Sequence, residues 1–225
     1  MKKISIITRA FNRLEYTIAC INSVYSNTYY NNYEHIIINN ASTDGTKEWL
    51  NWTKALPGDR FQHIRPIHLP KNYGDWGGMA ESIKYLANDS KYVVQLDNDI
   101  LVCPDWANYL RLSLENTESN ISMLKRLGVQ THIKATNKRQ IILTNGNLID
   151  IADIPFTVAC YIVRTAQFKQ VATPKLATCR NLSSAMGGKA IKILNKTCQQ
   201  IEGWNGKSYI QHKKYDPKLK QNWEK

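Results

Sequence analysis

Tyr92-Val93-Val94-Gln95-Leu96-Asp97-Asn98-Asp99-Ile100-Leu101-Val102 decides how this chain is read. An apolar run of strand character ends in two carboxylates and then resumes. Side chains two apart on a strand share a face, and like charges about 6–7 Å apart repel by about 2–3 kcal/mol at an effective dielectric of 20. Something positive must offset them. A hard divalent cation shared with phosphate oxygens does so, and Mg²⁺ or Mn²⁺ is commonly held by one or two carboxylates plus substrate phosphates. The plainer alternative is a polar loop following a strand, with Asp97 capping the next helix.

Outward from this stretch the first half alternates regularly. Ile4-Ser5-Ile6-Ile7 reads as a strand, and Leu14, Ile18, Ile21 and Tyr25 recur at helical spacing. His35-Ile36-Ile37-Ile38 reads as a second strand running into the turn and cap residues 39–45, followed by a helix over 47–56 that Pro57-Gly58 stops. Residues 64–69 form a weaker strand with an internal proline, suited to an edge. Met79, Ile83 and Leu86 mark a helix after the loop Asn72-Tyr73-Gly74-Asp75-Trp76-Gly77-Gly78, and Pro104 suits the start of another. The expected class is α/β with a largely parallel sheet. Ligands of such sheets bind beyond the carboxyl ends of the strands, so the polar clusters at 8–13, 39–45 and 97–99 should meet in one crevice. In the second half, 140–143 and 156–163 read as strands and 190–198 as a short helix; this half should complete the sheet and cover the site.

A chain of 225 residues is read as one domain. The formal charge of +12 fits an anionic partner such as a nucleotide diphosphate, an acidic polymer, an anionic membrane surface or nucleic acid. Part of the excess lies in Lys213-Lys214-Tyr215-Asp216-Pro217-Lys218-Leu219-Lys220, an exposed basic tail. The start has a basic pair but no signal-peptide pattern, and no stretch has the length of a membrane span. Five scattered cysteines without a C-x-x-C pair argue against a disulfide framework or zinc site and place the protein in a reducing cytoplasm.

The motifs in this order resemble glycosyltransferase family 2. Ile4 to Arg13 look like the family's opening strand and nucleotide loop, Ile38 to Thr46 like its second-strand motif, Asn72, Gly74 and Gly77 like its glycine loop, and Asp97-Asn98-Asp99 like its acidic metal triplet. The resemblance implies a GT-A fold: a Rossmann-like, mostly parallel sheet flanked by helices, with a nucleotide-sugar-binding half over 1–115, an acceptor-side half over 116–212 and the tail over 213–225. It implies that Thr8, Ala10 and Asn12 line the base and ribose, that Asn39 faces the base edge, and that Asp97 contacts the ribose or the metal. Asn98 belongs with the donor, and Asp99 holds Mn²⁺ or Mg²⁺ against the diphosphate. Arg9 and Arg13 stabilise the leaving diphosphate, and Trp76 shapes the sugar pocket or fills the core. His212 stands about where the family provides a late metal or diphosphate ligand.

Two departures bear on mechanism. Asn39 replaces the family's usual Asp, and an amide both donates and accepts, which leaves the base open between uracil and cytosine. Gly187-Gly188-Lys189 stand where the family's acidic pair supplies the catalytic base, so Glu202 and Asp153 become the substitutes by position. Arg164, closing the strand 156–163, either contacts phosphates or marks the strand's exit into solvent.

The implied activity is metal-dependent transfer of a sugar, with inversion, from a nucleotide diphosphate donor to a hydroxyl acceptor, whether a glycan, a lipid-linked species or another macromolecule. An enzyme in the cytoplasm could then meet the inner membrane surface through its basic tail. A catalytically weak sugar-nucleotide-binding relative and a basic protein associated with or modifying DNA are the competing readings. No recognised nucleic-acid motif supports the last. A sugar-phosphate nucleotidyltransferase would need a glycine-rich phosphate loop, and Thr8-Arg9-Ala10-Phe11-Asn12-Arg13 has no glycine.

Overall fold

Ile4, Ile6, Ile7, Ile36, Ile37, Ile38, Val93 and Val94 have no solvent-accessible surface, the mark of strands covered by helices on both faces. In the computed structural model, which describes residues 2–56, 61–127, 134–155, 159–172 and 179–201, they lie in adjacent strands. The first half runs β1 (Lys3–Ala10), α1 (Leu14–Asn27), β2 (Tyr33–Asn39), α2 (Thr46–Ala55), β3 (Ile64–His68), α3 (Gly74–Ser82, prolonged by a 3₁₀ turn), β4 (Ser90–Asp97), β5 (Ile100–Val102) and α4 (Trp106–Glu115). The second runs β6 (Ile121–Leu127), β7 (Thr136–Ile142), β8 (Leu148–Ile154), β9 (Cys160–Arg164), α5 (Thr165–Val171), α6 (Cys179–Ala185) and β10 (Ala190–Gln200).

One sheet takes all ten strands in the order β3-β2-β1-β4-β9-β6-β10-β8-β7, with β5 paired to β10. Strands β1 to β4 are mutually parallel, and Pro66 lies in the edge strand β3. Beyond β4 the sheet is mixed. β9 enters antiparallel between β4 and β6, β6 and β10 are parallel, and β8 and β7 continue antiparallel to the far edge. The carboxyl end of β4 therefore shares one rim of the sheet with the carboxyl ends of β1, β2, β6 and β10.

The helix expected over 190–198 is instead most of β10. Its apolar residues Ala190, Ile191, Leu194 and Cys198 fall at helical spacing because residues 194–196 form a bulge against β6, where the register passes from Leu124↔Ile193 to Lys125↔Thr197. Ladders to β6 on one side and β8 on the other hold the strand, and tertiary pairing overrides the local pattern. Of the expected strand 156–163, residues 156–158 lie outside the described residues and 160–164 are β9. No described helix is long and apolar enough to cross a membrane.

His35, on β2, is 2% exposed, with Nε2 2.8 Å from the Thr8 hydroxyl of β1. Burial, reinforced by the nearby His63, lowers its pKa from an ordinary 6.5 to about 3. Between those values the unfolded chain takes up a proton that the folded chain refuses, so stability is full above 6.5 and is lost as pH falls. The difference in unfolding free energy between wild type and His35→Gln should shrink by about 1.4 kcal/mol per pH unit below about 6. Denaturant titrations of both proteins at pH 7, 6 and 5 check this; parallel curves would rule it out.

Candidate active site

The acidic triplet occupies the turn between β4 and β5, on the crowded rim. Parallel pairing of β1 with β4 sets Arg9 beside Asp97, and its guanidinium donates to Asp97 Oδ1 at 3.0 Å and to Gln95 Oε1 at 2.7 Å. Asp97 is pushed above the usual carboxylate range by withdrawal from bulk water; Arg9 opposes the shift, whereas Asp99 and Asp75 add to it. Asn98 turns away and donates to Thr17 Oγ1 of α1 at 3.0 Å. Asp99 is 8% exposed. Its Oδ2 accepts from Gln200 Nε2 at 2.9 Å and lies 3.8 Å from Arg13 Nη1, while its backbone carbonyl accepts from Ile201 N at 2.8 Å.

The acids thus meet their offsetting charge within the protein. Arg9 supplies it from the end of β1 and Arg13 from the turn leading into α1. Asn12 and Arg13 both adopt left-handed backbone, with φ of 54° and 59°, a pair of strained non-glycine residues that aims Arg13 at Asp99. The turn is stitched to the next loop: Asn12 N donates to Ser42 Oγ, Thr43 N to Asn12 Oδ1, and Leu14 N to Asp44 Oδ2.

Asn39 and Asn40 divide the work of the second loop. Asn39 is 2% exposed; its Oδ1 accepts from Ser42 N and its Nδ2 meets His68 Nδ1, so both ends of the amide are engaged within the fold. Asn40 donates to Asn72 Oδ1 and Gly74 O and accepts from Tyr73 N, latching the second loop to the glycine loop. That loop opens α3, where a Cβ at Gly77 would lie 2.8 Å from Tyr73 Cβ, closer than side-chain carbons come. Trp76 is half-buried against the core under α3, and Asp75 in the first turn faces Asp97 electrostatically.

The structure brings Arg9, Asn12, Arg13, Asn72, Gly74, Asp97 and Asp99 to this rim, and corrects several other expectations. Thr8 and Ala10 are fully buried in the central strand, inside the wall of the crevice rather than on its surface. Asp153 lies opposite Ile191 on β8, about 25–30 Å along β10 from Gln200 at 3.3 Å per residue. It pairs there with Arg139 at 2.8 Å and Asn137 at 2.9 Å and is no candidate base. Gly187-Gly188-Lys189 precede β10 at that same far end, so their lack of acid does not empty the cleft of a base. Arg164 ends β9 opposite Tyr92, also far from the triplet, where it donates to the carbonyls of Leu114 and Ser119. Glu202, His212 and the basic tail lie outside the described residues.

Sequence reasoning missed Asn40, Arg126 and Gln200. Asn40 stood in a visible polar cluster, whereas Gln200 and Arg126 reach the rim only through sheet topology.

The sequence profile described as "Glycosyl transferase family 2" matches residues 5–174. The chain belongs to glycosyltransferase family 2. This family 2 chain is 32% identical over 118 residues to an uncharacterized glycosyltransferase of Rickettsia bellii, an alignment covering 52% of the chain and 15% of that relative. It therefore spans a small part of the relative's length. Among solved structures it is similar to Staphylococcus aureus TarS 1–349 in complex with UDP-GlcNAc (TM-score 0.64, 16% identity, 89% of this chain and 59% of that one). It is likewise similar to the mannosyltransferase PcManGT of Pyrobaculum calidifontis in complex with GDP-Man and Mn²⁺ (TM-score 0.67, 11% identity, 90% and 58%). The shared architecture is the GT-A fold.

Proposed function

We propose that this family 2 chain transfers a sugar from a nucleotide diphosphate donor to a hydroxyl acceptor, with inversion at the sugar carbon. The observation that carries the reading is the triplet itself: two carboxylates at the rim of the sheet, flanked by Arg9 and Arg13, with Asp99 pinned from behind by β10. The donor set of Asp97 and Asp99 consists of hard oxygen ligands. Among the described residues no third His, Cys, Asp or Glu joins them, so a cation held there would be completed by donor phosphates, the manner in which Mg²⁺ and Mn²⁺ are commonly bound. PcManGT, solved with GDP-Man and Mn²⁺, supports the same reading. Bound at these carboxylates, a divalent cation would supply Lewis-acid stabilisation to the departing diphosphate.

The protein's own groups do the rest. Arg9 and Arg13 stand where negative charge grows as the bond between sugar carbon and phosphate oxygen breaks, and the diphosphate leaves with that electron pair. The acceptor oxygen forms the new bond from the opposite face. Its proton passes to a carboxylate, a role we assign to Glu202, the residue after the Ile201 amide that holds Asp99. Reactions of this kind require no covalent enzyme intermediate.

Titrating UDP, GDP, CDP and their sugars by calorimetry, with and without Mn²⁺, tests the donor site. Metal-enhanced binding of one nucleotide class is expected; flat responses across the panel would refute the reading.

A further inference from the structure

Asp99 is held by a chain of donors with a forced direction. Arginine has no acceptor, so the Arg126 Nη2 that donates to Gln200 Oε1 compels the Gln200 amide to present its NH₂ group elsewhere, and it donates to Asp99 Oδ2 at 2.9 Å. The three residues come from different elements, Asp99 from the turn between β4 and β5. Arg126 lies near the carboxyl end of β6, in register with Cys198 of β10, and Gln200 ends β10 opposite Ile100 of β5. The adjacent Ile201 amide closes on the Asp99 carbonyl, fixing the backbone of the same residue whose side chain Gln200 holds.

The guanidinium's hydrogen bond among the described residues goes to Gln200. Among the described residues its Nε is buried without a hydrogen-bond partner, and Lys125 and Leu127 beside it pair along β10 as ordinary strand residues. Its charge also reaches Asp97, favouring the carboxylate form there. A partly buried cation with one unmet donor is tolerated where it secures a geometry worth more than its own solvation.

We infer that Arg126 and Gln200 are positioning residues that orient the Asp99 carboxylate for a divalent cation. The inference rests on the metal reading of the triplet. Partners behind a metal ligand fix its orientation and basicity, and losing one typically weakens metal affinity about 10- to 100-fold. Asp97, held instead by Arg9, lies outside this chain of donors, so the relay tunes one ligand of the pair.

Mn²⁺ binding, followed by loss of the free-ion electron paramagnetic resonance signal, tests this without reference to turnover. The titration uses the full chain with Mn²⁺ alone and with Mn²⁺ plus UDP. Arg126→Met and Gln200→Leu should each weaken Mn²⁺ binding about 10-fold or more, and the double variant should be no weaker than the worse single one, as members of one unit behave. Arg126→Lys, which keeps a donor for Gln200 Oε1, should recover most of the affinity. Arg139→Ala, in the β7–β8 hairpin, should change nothing. Wild-type Mn²⁺ affinity in a folded Arg126→Met or Gln200→Leu protein would overturn the inference alone. Absence of Mn²⁺ binding by the wild type under both conditions would overturn the metal reading, and this inference with it.

Discussion

Asp99→Ala should reduce donor binding in the presence of Mn²⁺ to its metal-free level and lower turnover about 10²-fold or more, since Lewis-acid stabilisation is worth several kcal/mol. The expectation follows from the residue's setting. Asp99 is the more buried of the two acids, it receives Gln200 and lies near Arg13, and its backbone is locked by Ile201. Truncation leaves Arg13, whose side chain is 46% exposed, able to rehydrate, so the fold should survive with its thermal midpoint little changed. Asp99→Asn separates charge from shape. It keeps an oxygen acceptor for Gln200 yet removes the anionic ligand, and it should behave like alanine in the metal titration. Normal kinetics in both variants would remove Asp99 from the mechanism.

The second large effect is expected at Glu202. General base catalysis contributes about 10²–10⁴-fold, so Glu202→Gln should lower kcat by that order while donor affinity stays near wild type. The acidic limb of the pH–rate profile should vanish with it, because the limb reports protonation of the base. Unchanged turnover would return Glu202 to a structural role. Asp153→Asn is the natural companion. The Asp153 carboxyl is held below the usual range by hydrogen bonds from Asn137 and Arg139 on an exposed hairpin, and its loss should leave turnover untouched.

Much of the first half was legible because local pattern and global role agree there. Runs such as Ile36-Ile37-Ile38 are buried on both faces and have no use outside a covered parallel strand, and each ends in the polar loop that the strand-end rule brings to the crevice. The demand for positive charge beside Asp97 and Asp99 could also be read from their spacing. That Arg9 and Arg13 answer part of it required the β1–β4 register and two left-handed residues. In the second half the bulge in β10 counterfeited a helical period. Resemblance placed the family's acidic pair at 187–189, which fall at the far end of the sheet, because position along the chain says little where strands reverse direction. The Gln200–Asp99 and Arg126–Gln200 contacts span 101 and 74 residues, far beyond any periodicity.

Those long spans have a consequence for how the protein comes into being. Contacts between distant residues close late, after shorter loops have formed, and a nascent chain elongates at about 5–20 residues per second. Strand β4 and the turn that carries Asp99 would leave the ribosome several seconds before β10 exists to secure Asp99. Throughout that interval Asp99 lacks the hold of Gln200 and Ile201, so under the proposed reading the immature chain has its acids but not yet their orientation.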